Sequence, residues 1–256
     1  MSIIVKSNRE VALIKEAGKV IIDLFKVLKD NTVPGISTWE LDRIAARFIA
    51  SRGAKASSYN YEGFPGHICI SVNDTLVHGI PSKKIILKEG DIVTYDILVT
   101  LNGYTADAAR TFPVGEISSE ASKLIEVTKN AFFKGVEQVK PGNHIGDISN
   151  AIETYVKEFG FALTDMFAGH GVGRDVHEDP FIPNIGQAHT GPKLVKGMTL
   201  AIEPMVNLGK KDIKILEDGW TAKTKDGKIC SHYENTVVVT DLGYEILTLD
   251  EGEKVN

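Results

Sequence analysis

The stretch GDIVTYDILVTLNGYTADAARTF, residues 90–112, reads as a β-hairpin interrupted by two lone acids, Asp96 and Asp107. Asn102-Gly103 supplies the turn, because both central positions of a type I′ turn take positive φ, which Asn and Gly tolerate. A two-residue turn there fixes the register: residues whose numbers sum to 205 face one another, so Asp107 lies opposite Leu98 and Asp96 sits one diagonal step away on the same face. Diagonal neighbours of this kind are about 7–8 Å apart. Two carboxylates aimed at one side of a sheet can share a ligand. Taken alone, a pair of strand-end acids in solvent fits the pattern too.

Outward from the hairpin, the sequence repeats itself. VPGISTWELDRIAARFIASRG (33–53) and KPGNHIGDISNAIETYVKEFG (140–160) each place a Gly eighteen residues beyond a Pro-Gly pair, with an amphipathic segment between. Ser37 and Glu40 form a capping box, Leu41, Ile44, Phe48 and Ile49 share a helical face, and Gly53 suits the residue after the helix. Ile145, Ile148, Ile152, Val156 and Phe159 form the corresponding face before Gly160. LKEGDIVTYDILV (87–99) and LVKGMTLAIEPMV (194–206) both carry an acid six residues after a Gly. The pairs Pro34/Pro141, Gly53/Gly160, Gly90/Gly197 and Asp96/Glu203 all share an offset of 107. Two α-plus-β halves are expected, about 1–115 and 116–256, each opening with a helix (about 9–29 and 119–137), in one domain spanning 1–256. If the halves pack about a pseudo-two-fold axis, equivalent strands meet there and bring Asp96 towards Glu203.

Single acids also punctuate MTLAIEPMV, at Glu203, and SHYENTVVVT, at Glu234. Between them, FAGHGVGRDVHEDP places His170 and His177 in Gly-rich surroundings that suit a close-packed turn. Four converging carboxylates would repel by about 4 kcal/mol per close pair at an effective dielectric near 20. Two divalent cations cancel that charge. An oxygen-rich donor set with one imidazole suits Mn, Fe or Co, with Zn or Ni as further candidates. Two such ions would activate a bridging water and polarise a carbonyl.

Composition narrows the alternatives. The chain has 256 residues, 43% of them hydrophobic and 25% charged, with a net charge of −5. No Lys/Arg cluster offers a nucleic-acid footprint, and no apolar run approaches the ~20 residues of a membrane span. MSIIVKSNREV lacks the apolar core of a signal peptide, so a cytoplasmic protein is expected. Cys69 and Cys230 lack CxxC spacing and read as buried small side chains rather than a disulfide or thiolate site. No phosphate-binding Gly-Lys loop supports a two-metal phosphatase or nuclease.

With SVNDTLVHGIP (71–81), the hairpin, GHGVGRDVHEDP, IEPMV and DGWTAKTKDGKICSHYENTVVVT in place, nearly the whole chain resembles the type I methionine aminopeptidases. These belong to the pita-bread (creatinase/aminopeptidase-like) group that includes prolidase and aminopeptidase P. The resemblance implies an α+β pita-bread fold with a central curved antiparallel sheet and outer helices. It implies two divalent metal ions on Asp96, Asp107, His170, Glu203 and Glu234, with Asp107 and Glu234 bridging. It further implies that His78 contacts the scissile amide, His177 stabilises the carbonyl oxygen, and Glu203 takes the proton of the bridging water. A methionine pocket of Tyr61, Phe64, Cys69 and Trp220 follows, a polarizable thioether suiting aromatic walls.

The implied reaction is removal of the initiator methionine from nascent polypeptides when the second residue is small. The implied state is a monomer with transient ribosome association. Without the resemblance, His78 reads as a surface residue and Trp220 as a core tryptophan. Many bacterial members differ at Ser58 (Cys), Glu62 (His) and Gly66-His67 (Lys-Ser), positions bordering the substrate entrance. His232, where relatives often have Gln, should share the strand face of Glu234, as a partner of the ligands or as an edge residue in solvent. His67, His144 and His189 are expected in loops or at helix starts. The chain shows neither the extra amino-terminal domain of prolidase nor the long insertion of type II enzymes, so a short bacterial-type enzyme is expected. Cleavage before proline and a non-catalytic binding protein of the same fold are the alternatives.

Overall fold

The computed structural model describes residues 3–250, 252 and 253. Helices α1 (Asn8–Asn31) and α2 (Thr38–Ser51) come first, then strands β1 (Lys55–Ala56), β2 (Cys69–Val72) and β3 (Thr75–Val77), and the hairpin β4 (Ile92–Leu101) and β5 (Tyr104–Pro113). Next come α3 (Ser119–Val136), α4 (Ile145–Glu158), β6 (Ala162–Leu163), β7 (Ala168–Gly171), β8 (Glu178–Pro183), β9 (Thr199–Ile202) and β10 (Met205–Asn207). Strands β11 (Ile213–Ile215), β12 (Ala222–Thr224), β13 (Cys230–His232), β14 (Asn235–Val239) and β15 (Tyr244–Ile246) complete the chain.

Local chemistry sets the helices. Ser7 with Glu10, and Ser37 with Glu40, form reciprocal capping boxes that satisfy donors at the starts of α1 and α2. Ser118 caps α3, and Asp147 accepts the His144 N–H at the start of α4 at 2.7 Å. Gly53 and Gly160 follow α2 and α4 with φ of 68° and 73°, as their place in the repeat predicts. The hairpin turn also forms as read, with φ of 52° at Asn102 and 81° at Gly103, and Leu98 pairs with Asp107.

Two large cores and a smaller one of Leu76, Val77, Met205, Ile213, Ala222 and Cys230 hold most of the buried hydrophobic residues. In the first, Ile14, Ile21, Leu24 and Leu28 of α1 and Leu41 and Ile49 of α2 pack on Val93, Tyr95, Ile97 and Val99 of β4 and on Ala106 and Ala108 of β5. In the second, Leu124, Phe132, Ile148 and Ile152 of α3 and α4 pack on Leu200 and Ile202 of β9 and Val237 and Val239 of β14. Strand side chains alternate between faces, so the residues left for the face away from the helices include Asp96, Asp107 and, just past β9, Glu203.

Strand β4 takes β1 and β2 along one edge and β5 along the other, while β15-β14-β9-β7-β8 forms a second antiparallel sheet. The two are stitched where Ala109 and Glu234 exchange backbone hydrogen bonds of 3.0 and 3.3 Å, and Thr236 Oγ1 bonds both N–H and C=O of Asp107. Strands β5 and β14 therefore meet at the seam, rather than the strands of Asp96 and Glu203. Arg110 locks this seam, donating to the carbonyls of Ala109 and Glu234, to Asn235 Oδ1 and to Glu253.

A buried ion pair closes the fold near one end of β8. Lys6 Nζ pairs with Glu178, both side chains 2% exposed, and Glu178 Oε1 accepts the N–H of Arg174 at 2.8 Å. Removing one partner strands a charge in the interior, a loss of about 3–5 kcal/mol. Lys6→Met should lower the unfolding free energy by that order in urea titrations; a change below about 1 kcal/mol would mean that solvent reaches the pair.

Candidate active site

Each half of the molecule contributes acids from adjoining strands. Asp96 lies on β4 opposite Cys69, Asp107 lies on β5, Glu203 follows β9 directly, and Glu234 precedes β14 directly. His170 is on β7, a strand rather than the turn its Gly-rich context predicts. The glycines serve that strand: a Cβ at Gly169 would stand 2.3 Å from the Ala201 carbonyl oxygen, and one at Gly171 would stand 2.3 Å from that of Asp179. Only glycine lets β7 lie so close to its neighbours.

The acids, His170, His78, His177, Tyr61, Phe64, Cys69 and Trp220 all line one cavity of about 340 Å³. Ser58 and Glu62 are on its wall, whereas Gly66 and His67 border a neighbouring groove where His67 bonds Asp42. His170 Nε2 stands 3.5 Å from Asp107 and 3.6 Å from Glu203. Its Nδ1 lies 2.9 Å from the Gly171 carbonyl, which can only accept, so the proton sits on Nδ1 and the Nε2 lone pair faces the carboxylates.

No lysine or arginine is among the described residues that line the cavity. Burial and the neighbouring carboxylates therefore push Asp96, Glu203 and Glu234 well above the usual acid range, and burial raises Asp107 to about 8. Asp107 Oδ1 and Glu234 Oε1 are buried without a hydrogen-bond partner. Orphaned buried carboxylate oxygens are costly unless something positive meets them. Ligand atoms of Asp107, His170 and Glu234 fall within 4.8 Å of one another, so the donor set fits divalent cations. His144, Asp147 and His189 form another such group, but there Asp147 caps α4 and accepts the His189 N–H.

His78, which reads from its local sequence as a surface residue, is in the cavity wall. Its backbone has φ of 56°, an unfavourable region for a non-glycine residue, and its ring stands edge-on to Phe167 at 5.3 Å and Trp220 at 6.0 Å. Burial lowers its pKa to about 4, and burial with the neighbouring His170 does the same for His177. The Tyr61 hydroxyl is 2.9 Å from His177 Nδ1. Phe167 was not singled out in the sequence; an aromatic residue immediately before Ala-Gly-His-Gly is the signal that could have found it. His232 is buried at 1% exposure, not an edge residue in solvent.

Comparison with known proteins places this arrangement. The model of metallopeptidase family M24 matches residues 12–241. A methionine aminopeptidase of Clostridium perfringens is 52% identical over 96% of this chain and 99% of its own length. The crystal structure of methionine aminopeptidase from Rickettsia prowazekii superposes with a TM-score of 0.95 at 37% identity, covering 97% of this chain and all (100%) of that one. Prolidase from Pyrococcus furiosus shares the fold at a TM-score of 0.79 and 24% identity, this chain covering 66% of it. With its buried acids, its histidines and its aromatic-walled cavity, the chain belongs to metallopeptidase family M24 and, within it, to the methionine aminopeptidases.

Proposed function

We propose that the protein removes the initiator methionine of nascent polypeptides whose second residue is small, using two divalent ions held by Asp96, Asp107, His170, Glu203 and Glu234. Metal-dependent removal of an amino-terminal methionine is the activity of the family it belongs to. One observation carries the assignment: a buried carboxylate–imidazole cluster shares a cavity with an apolar, sulfur-friendly pocket of Tyr61, Phe64, Cys69 and Trp220. Bound divalent cations would supply counter-charge, an activated water and a polarised carbonyl; Mn, Fe or Co suits these donors, with Zn or Ni as further candidates.

The remaining work belongs to the side chains. Glu203, whose proton affinity is raised by burial and carboxylate neighbours, accepts the proton of the attacking water and delivers it to the departing amine. Donation from the Tyr61 hydroxyl to His177 Nδ1 keeps the His177 proton on Nε2, where it stabilises the developing oxyanion. His78, neutral and held by its strained backbone and two aromatic neighbours, binds the scissile amide. Phe64 and Trp220 meet edge to face at 5.3 Å and form the wall for the methionine thioether.

Among the described residues no helix is long and apolar enough to cross a membrane. Action as a single catalytic domain in the cytoplasm, as a monomer in transient association with the ribosome, completes the proposal. The test is hydrolysis of Met-Ala-Ser and Ala-Pro-Ser by metal-stripped protein, before and after Mn(II) or Co(II) is added. Metal-dependent release of methionine alone is expected. Cleavage of the proline peptide alone would transfer the chain to the prolidase-like branch, and no cleavage of either would leave a binding protein.

A further inference from the structure

His232 closes β13, opposite Met205, and its main chain is pinned by one side chain: Thr111 Oγ1 accepts its N–H at 3.1 Å and donates to its carbonyl at 2.9 Å. The ring projects among the acids. Its Nε2 stands 3.6 Å from Glu203 Oε2 and 3.8 Å from Glu234 Oε2. Both ring nitrogens are buried without a hydrogen-bond partner. Two unmet polar atoms on one buried ring call for an explanation.

The tautomer supplies one. At His170 the Gly171 carbonyl takes the Nδ1 proton and frees Nε2 as a lone-pair donor to a metal. At His232 nothing accepts from Nδ1, and the carboxylates of Glu203 and Glu234 lie before Nε2; a carboxylate that holds a cation has given up its proton and can only accept. The proton of the neutral ring is therefore best placed on Nε2, which makes the ring a hydrogen-bond donor and unfits that nitrogen as a ligand. A movement of about half an ångström brings the contact into hydrogen-bond range, and hydrogen bonds at catalytic sites are commonly long until the site is loaded. Glu203 then lies between two imidazoles: Oε1 faces His170 and Oε2 faces His232.

We propose that His232 is a positioning residue that donates its Nε2 proton to Glu203, orienting the carboxylate for metal binding and proton transfer without itself ligating. The inference rests on the reading of Glu203 as a metal ligand. Partners of this kind typically contribute 10–100-fold to metal affinity, by order of magnitude.

The test has two arms. Two-bond proton–nitrogen correlation spectra of the protein loaded with diamagnetic Zn(II), which holds the carboxylates deprotonated, should show His170 protonated on Nδ1 and His232 on Nε2; a His232 proton on Nδ1 would overturn the proposal. Calorimetric titration with Mn(II) should show affinity about 10–100-fold weaker in His232→Leu, with wild-type affinity within about threefold in His232→Gln, which keeps a donor. Equal affinity in the Leu variant, or equal loss in both variants, would overturn it. A wild-type protein that takes up neither Mn(II) nor Zn(II) would instead sink the metal-site reading. In turnover, His232→Leu should lower kcat with KM held, and His232→Gln should restore it.

Discussion

Asp107→Asn should abolish peptide hydrolysis, by about 10³-fold or more in kcat/KM, and the purified variant should retain little metal when assayed by elemental analysis. The size follows from the several kcal/mol that a metal centre contributes, each 1.36 kcal/mol being about tenfold in rate. Asp107 is central to the proposed centre because β5 carries it to the seam with β14. Its carboxylate there faces His170 at 3.5 Å, and its unmet Oδ1 is buried. An amide keeps the shape and removes the negative charge on which cation binding depends. The metal-free variant should also be more stable than metal-free wild type at pH 8, by on the order of 1 kcal/mol. Relieved repulsion among the acids outweighs the unmet hydrogen bonds of the new amide. Loss of activity together with loss of stability would point to a fold defect, and a fully active, metal-replete variant would remove Asp107 from the ligand set.

What was legible in the sequence was whatever local chemistry decides. A two-residue Asn-Gly turn fixes a register, so the pairing of Leu98 with Asp107 follows from residues 102 and 103 alone. A capping box is encoded within four residues, and α2 starts where Ser37 and Glu40 place it; the caps of α1, α3 and α4 at Ser7, Ser118 and Asp147 came from the structure. The less legible features depend on partners far along the chain. Lys6 meets Glu178 across 172 positions, and the seam between β5 and β14 depends on Ala109, Thr236 and Arg110 together. His78 has an ordinary local sequence; Phe167 and Trp220, distant in the chain, turn it into a cavity residue. His232 was placed on the face of Glu234 by strand alternation, but its burial depends on β10 and Thr111 packing around it. The family resemblance supplied roles for the histidines, which spacing could not do.

Stripping the metal should make stability fall as pH rises above neutrality, the reverse of ordinary acid denaturation. Asp107 moves from an ordinary 3.8 to about 8 in the metal-free fold, and Asp96, Glu203 and Glu234 shift upward too. A group with a raised folded pKa contributes its full stability below its unfolded value and loses it as pH climbs through the folded one, because the folded chain holds the extra proton. Histidine works in the opposite sense at lower pH. His78, His170 and His177 fall from 6.5 to about 4, so their contribution is present above 6.5 and is lost as pH falls towards 4. Above about pH 7.5 those histidines are neutral in both states, and from about pH 7.5 to 9 the carboxylates, not the histidines, set the slope. Each proton of difference is worth about 1.4 kcal/mol per pH unit, and each kcal/mol about 2–4 °C in Tm for a chain of this size. Chelator-treated protein should therefore lose roughly 3–10 °C across that window. Protein saturated with Mn(II) should not, since the cations replace the protons that the carboxylates otherwise hold, and loading at pH 7 should release protons into a weakly buffered solution. A metal-free Tm that is flat or rising from about pH 7.5 to 9 would show that the acids are already ionised and balanced by charge of the chain's own, and the case for cations at Asp107 and Glu234 would lose its electrostatic basis.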